Sequence, residues 1–182
     1  MNPIPFAGSA TKFVGALVCL GVAIAGSFGA EVGATKSFLH PLFSEHAVLQ
    51  REKPVPVWGW SEPGTKVIVS FAGQKATATV APDGKWMAKL KKMPASAESR
   101  TLSVTNATTH ESAVVNDVLV GDVWLGSGQS NMEMGIAMCN ATNDIATANF
   151  PQLRLLTVPH RISNEPVQDL SCRWLPCSPE TV

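Results

Sequence analysis

An excess of charge of one sign is missing from this chain: Lys and Arg number 14, Asp and Glu number 14, and the formal net charge is zero. That balance gives no long-range field toward phosphate backbones or anionic lipid, which argues against a nucleic-acid partner. A long apolar run is also missing. The run Phe13 to Ala25 spans about 13 residues against the roughly 20 that a spanning helix needs, so no stable membrane span is expected. No Cys/His spacing matches a zinc site, and His40, His46, His110 and His160 are scattered, so neither a metal nor a cofactor is indicated. Disorder is excluded by composition, since 45% of residues are hydrophobic and only 15% charged.

What is present begins with the stretch from Met1 to Ala30, which carries a lone cation, Lys12, then the apolar run, then small residues. This is the layout of a secretory signal peptide, so residues 1–34 are set aside and the remainder is expected to be exported, to the periplasm or outside the cell. Cleavage falls after Ala30 or Ala34, and Cys19 leaves with the peptide; an uncleaved anchor is disfavoured by length. Cys139, Cys172 and Cys177 remain, of which the last two could close a small loop in an oxidising compartment. Asn106 and Asn140 each open an Asn-Ala-Thr glycosylation sequon.

Residues 36–116 alternate short apolar runs with turn residues about every ten positions, the pattern of an antiparallel meander or sandwich. Strands are expected at Ala47 to Gln50, Val55 to Trp60, Thr65 to Phe71, Gln74 to Val80, Lys85 to Leu90 and Arg100 to Asn106. Glu62-Pro63-Gly64, Ala72-Gly73 and Pro82-Asp83-Gly84 supply the turns between them. Trp58, Trp60 and Trp86 suit sugar stacking, but in a module this small they are expected to fill the core.

From residue 117 the pattern changes. Val118 to Gly128 contains two apolar clusters without strict alternation, which fits a strand buried on both faces of a mostly parallel sheet. Helix-compatible residues around Asp144 to Ala148 and a second apolar run, Leu153 to Val158, complete one expected βαβ unit. Ser178 could cap a further helix with Pro179 in its first turn. Two strands and one crossover cannot cover a parallel sheet, so residues 117–182 are expected to be the truncated start of a domain in a longer protein.

Ser130 lies in GDVWLGSGQSNMEMG, Gly121 to Gly135, just past the first of those strands. Gly126 and Gly128 permit a tight turn, and a helix starting near Met132 would favour negative charge beside the serine, an arrangement suited to acyl transfer. Met132 stands where a G-x-S-x-G elbow would have its second glycine, which disfavours an α/β-hydrolase lipase. Asp122 either supports the serine turn or makes local backbone bonds, with the latter the more ordinary role. Glu133 is expected to be a solvated first-turn carboxylate, and Met132, Met134 and Met138 to be apolar filling.

The string GDVWLGSGQSNMEM closely resembles the nucleophile block of the sialate O-acetylesterase family, carbohydrate esterases of the SGNH/GDSL hydrolase superfamily. The stretch from Pro41 to Gln74 resembles that family's N-terminal β domain, and Phe150 to Pro159 and Trp174 to Val182 resemble its next segments. The resemblance implies an antiparallel β-sandwich module followed by the start of a three-layer α/β/α SGNH domain. It implies Ser130 as nucleophile, its own N–H contributing to the oxyanion hole, with Gly128 and Asn131 shaping the turn. The implied reaction removes O-acetyl groups from sialic acid or another acetylated carbohydrate through an acetyl-serine. The family's base and its orienting carboxylate form an Asp-x-x-His pair far toward the C-terminus, and this sequence has none: His110 lies in the β module and His160 has no Asp three residues before it. The segment alone is therefore expected to be nearly inactive. The alternative is a non-catalytic carbohydrate-binding or docking module carrying a hydrolase remnant.

Overall fold

A computed structural model describes residues 36–168 and 170–182; the expected signal peptide, with Lys12 and Cys19, lies outside them. Six strands form where alternation and turn residues place them: β1 Val48–Gln50, β2 Val55–Trp60, β3 Lys66–Phe71, β4 Gln74–Thr79, β5 Lys85–Leu90 and β6 Ser96–Asn106. A seventh, β7, covers Ser112–Gly121. Five of these make one sheet in the order β1-β7-β6-β3-β4, antiparallel except for the parallel β1 and β7 pair. β2 and β5 form a separate antiparallel ribbon. Period-2 alternation turns one side of each inward. β3 buries Val67, Val69 and Phe71, and β5 buries Trp86, Ala88 and Leu90 while exposing Lys85, Met87 and Lys89. Sheet and ribbon share one hydrophobic core, in which Val57, Val67, Val69, Leu102, Val104 and Val118 are wholly buried, each contributing roughly 2 kcal/mol of burial.

β3 and β4 are joined by Ala72 and Gly73, both at positive φ (48° and 74°), the mirror-image turn whose twist matches a two-residue hairpin. Alanine is strained there by its Cβ. Ala72→Asn, which creates the favoured Asn-Gly pair, is expected to raise the denaturant midpoint by about 0.5–1 kcal/mol of stability.

Three expectations for the later residues are corrected. The stretch Val118 to Gly128 is not one strand: Val118, Leu119 and Val120 end β7 and are buried, whereas Trp124 and Leu125 are 90% and 87% exposed. β7 is a central strand between β1 and β6, so its end is buried over consecutive residues, the same sequence signal that a parallel strand gives. The βαβ unit does not form among the described residues. The only α-helix described, α1 Thr142–Ala146, has five residues, too few for a crossover, and β8 Phe150–Leu156 pairs antiparallel with β9 Trp174–Cys177. Cys172 and Cys177 are both free thiols. An extended run separates them at roughly 3.3 Å per residue, well past the ~7 Å Cα limit of a disulfide. The described chain is thus mostly β, with a curled sheet and few helices, and the helix expected after Ser178 is only a closing turn, in which Ser178 Oγ accepts the Glu180 amide at 3.3 Å.

Asn106 is wholly buried at the end of β6. Its Nδ2 donates to Ser61 Oγ (2.9 Å) and Thr65 Oγ1 (2.8 Å), and its Oδ1 accepts the amides of Thr108 (2.9 Å) and Thr109 (3.1 Å). This closes the β6–β7 connection and takes the first sequon's nitrogen out of reach of a glycan; Asn140 stays exposed.

β8 is tied to β7 by Arg154, whose Nη1 donates to Asp117 Oδ2 at 2.7 Å, while His46 Nδ1 sits 2.6 Å from the same oxygen. Burial pushes the Asp117 carboxyl up, but the hydrogen bonds from Arg154, His46 and Ser99 outweigh it and hold the group at about 2. Because the folded value is depressed, this stabilisation is full above the ordinary carboxylate range and is lost as pH falls from about 4 through 2; it amounts to about 1–2 kcal/mol. Urea midpoints taken at about pH 5 and about pH 2.5 are expected to converge in Arg154→Met relative to the unaltered chain.

Candidate active site

Beyond β7 the chain is anchored back to the β1 end. Gln50 Oε1 accepts the Val123 amide at 3.0 Å, and Arg51 Nε donates to Asp122 Oδ1 at 2.9 Å. That hydrogen bond holds the Asp122 carboxyl below its ordinary range. Asp122 thus grips Arg51, which is neither the serine turn nor local backbone.

Ser130 opens a single 3-10 turn, Ser130–Met132, closed by Met132 N to Gln129 O (2.8 Å) and Glu133 N to Ser130 O (3.1 Å). The helix expected near Met132 is therefore one tight turn, and a turn has no summed macrodipole to favour an anion. The upstream glycines are explained by close approach. A Cβ on Gly128 would lie 2.7 Å from Met132 Cγ, because the methionine folds back over the glycines. Met134 and Met138 fill nothing and are exposed, since no described element packs over this segment. Ser130, Gly128 and Asn131 lie together on this exposed turn.

The histidines separate clearly. His46 is held by Asp117, His40 packs against Trp58 and Trp60, and His110 lies in the connection before β7, at the opposite end of that strand from the serine. His160 is the exception: its Nε2 is 3.4 Å from Glu133 Oε1, so the structure joins an imidazole to the carboxylate three residues past Ser130. No sequence spacing signals that pairing, because two exposed loops make it. Among the described residues no base is hydrogen-bonded to the Ser130 hydroxyl, no group of three or more His, Cys, Asp or Glu gathers as a metal site, and no helix is long and apolar enough to cross a membrane.

No family model matches the chain. The sialate O-acetylesterase of Mus musculus is 35% identical over 136 residues, covering 69% of this chain and 25% of its own length. That of Homo sapiens is 36% identical over 137 residues, covering 68% and 25%. The crystal structure of a carbohydrate acetylesterase from Xanthomonas citri superposes with a TM-score of 0.72 at 39% identity, over 79% of this chain and 33% of that one. Over the matched residues the chain belongs to the sialate O-acetylesterase family. It spans about a quarter of the length of the curated relatives it matches. In this member of the sialate O-acetylesterase family, Ser130 offers an exposed hydroxyl on a short fixed turn. Without a base that hydroxyl is neutral and weakly nucleophilic.

Proposed function

We propose that this chain is the nucleophile-bearing part of an exported carbohydrate esterase that removes O-acetyl groups from sialic acid or another acetylated sugar. The carrying observation is the exposed Ser130 turn, carried on the segment that follows the anchored end of β7, in a chain related to sialate O-acetylesterases. In this reading the expected boundary at 116/117 falls inside β7 and moves to its end, so residues 36–121 are a β-sandwich module and the residues after them begin an SGNH-type α/β/α domain. Ser130 Oγ attacks the acetyl carbonyl while a base takes its proton, and the Ser130 N–H helps hold the tetrahedral oxyanion. The sugar hydroxyl leaves with a proton, and water then releases acetate from the acetyl-serine. Gly128 and Asn131 shape the turn.

This reading takes the base from a longer protein and expects negligible esterase activity from the 182 residues by themselves. Acid quenching of the longer enzyme during turnover, followed by peptide mass spectrometry, is expected to find acetyl on the peptide that contains Ser130. Acetylation of another residue in its place overturns the assignment.

A further inference from the structure

The outer face of the β2–β5 ribbon breaks the rule that the rest of the fold obeys. Its inner face carries Val57, Ala88 and Leu90 into the core, so the outward positions should be polar. The register instead sets Trp58 opposite Met87 and Trp60 opposite Lys85 on that outer side. Trp86, by contrast, points inward, and its Nε1 donates to Phe38 O at 3.0 Å. Trp86 belongs to the core, yet it joins Trp58 and Trp60 in lining a cavity of about 630 Å³.

That cavity has the composition of a small-ligand site. Trp58 is half-buried, with His40 at 5.2 Å from its ring and Phe43 edge-on at 4.7 Å, which fixes the indole plane. Polar groups reach it from Lys85 and Thr79, whereas both ring nitrogens of His40 in the same wall are engaged, by Gln168 O and the Leu42 amide. One of its wall residues, Trp60, is only 7% exposed, and its indole Nε1 is buried without a hydrogen-bond partner. A buried unpaired donor costs about 1–3 kcal/mol, a cost that a small rotation of the indole toward a ligand oxygen would recover. The cation of Lys36 lies 5.9 Å from the Trp60 ring centroid.

We propose that this cavity is a saccharide-binding site, separate from Ser130. A pyranose has an apolar C–H face to lay on the Trp58 indole and hydroxyls at its edge for the Lys85 ammonium and the Thr79 hydroxyl, which matches the division of the cavity into a flat aromatic wall and a polar rim. The site is built entirely from the β module and the segments against it, so it does not rest on the esterase reading.

The test is a titration of the chain with methyl α-N-acetylneuraminide, which is acidic, and with cellotetraose, which is neutral. It is followed by the indole N–H resonances and by isothermal calorimetry. The expected result is a saturable shift of the Trp60 indole signal with at least one sugar. Trp58→Ala is expected to weaken binding at least tenfold and Lys85→Ala several-fold, with Ser130→Ala unchanged. Lys85 sits at the exposed edge, so its variant keeps the proposal testable if Trp58→Ala fails to fold. Absence of saturable binding by either sugar to the folded chain overturns the proposal, as does binding that Lys85→Ala leaves unchanged. Binding lost in Ser130→Ala places the sugar at the serine turn and overturns it equally.

Discussion

Ser130→Ala in the longer esterase is expected to lower the rate of acetate release from an O-acetylated sialic acid by about 10⁴-fold or more, with little change in substrate affinity. In the proposed mechanism the effect is this large because the serine supplies the atom that is acylated; oxyanion donors and binding alone would retain only a small residue of the rate. Ser127→Ala is the matched control. Ser127 lies between Gly126 and Gly128, is exposed like Ser130, and precedes the turn, so its loss should leave turnover near normal. A Ser130→Ala enzyme that still turns over at a near-normal rate refutes the nucleophile assignment. Since Ser130 is exposed and no described side chain is hydrogen-bonded to its hydroxyl, the substitution is expected to leave the melting temperature unmoved, which separates lost chemistry from lost fold.

The strands before Asn106 were legible in the sequence because each obeys period-2 alternation and is bounded by residues whose dihedrals demand a turn. Lys85–Leu90 is a clear instance, with every other side chain buried. Legibility failed where burial comes from position in the sheet. Val118, Leu119 and Val120 are buried consecutively because β7 is central, and nothing local distinguishes that from a parallel strand. The serine turn itself was legible from its glycines, but their partner was not: Met132 folding back onto Gly128 is a side-chain conformation. The Glu133–His160 pair and the Arg154–Asp117–His46 cluster are contacts between distant segments, for which sequence spacing carries no signal. The tryptophans show the same limit from another side. Hydrophobicity assigns all three to the core, where Trp60 and Trp86 are buried and Trp58 packs against it; only strand register reveals that Trp58 and Trp60 lie on the opposite side of the ribbon from Trp86.

The other large expected effect concerns Gly59, the penultimate residue of β2. Residues 37–40 run alongside this strand: His40 N donates to Trp58 O at 3.0 Å and Trp60 N to Ser37 O at 3.2 Å, so the Phe38 carbonyl is pressed over Gly59. A Cβ at Gly59 would lie 1.9 Å from Phe38 O and 2.7 Å from its carbonyl carbon. These are backbone atoms and cannot rotate away. Moving them would also break the bond from Trp86 Nε1 to Phe38 O. Gly59→Ala is therefore expected to cost about 4 kcal/mol or more, a large part of a small domain's whole stability, and to appear as loss of the cooperative thermal transition. Two companion variants isolate the cause. Gly73→Ala has a positive φ of 74° but open space around it, so it should cost only about 1 kcal/mol; Gly135→Ala has neither strain nor a near neighbour and should be neutral. If Gly59→Ala melts within a degree or two of Gly135→Ala, the segment 37–40 does not pack on β2 as described, and the cavity walled by His40 loses its frame with it.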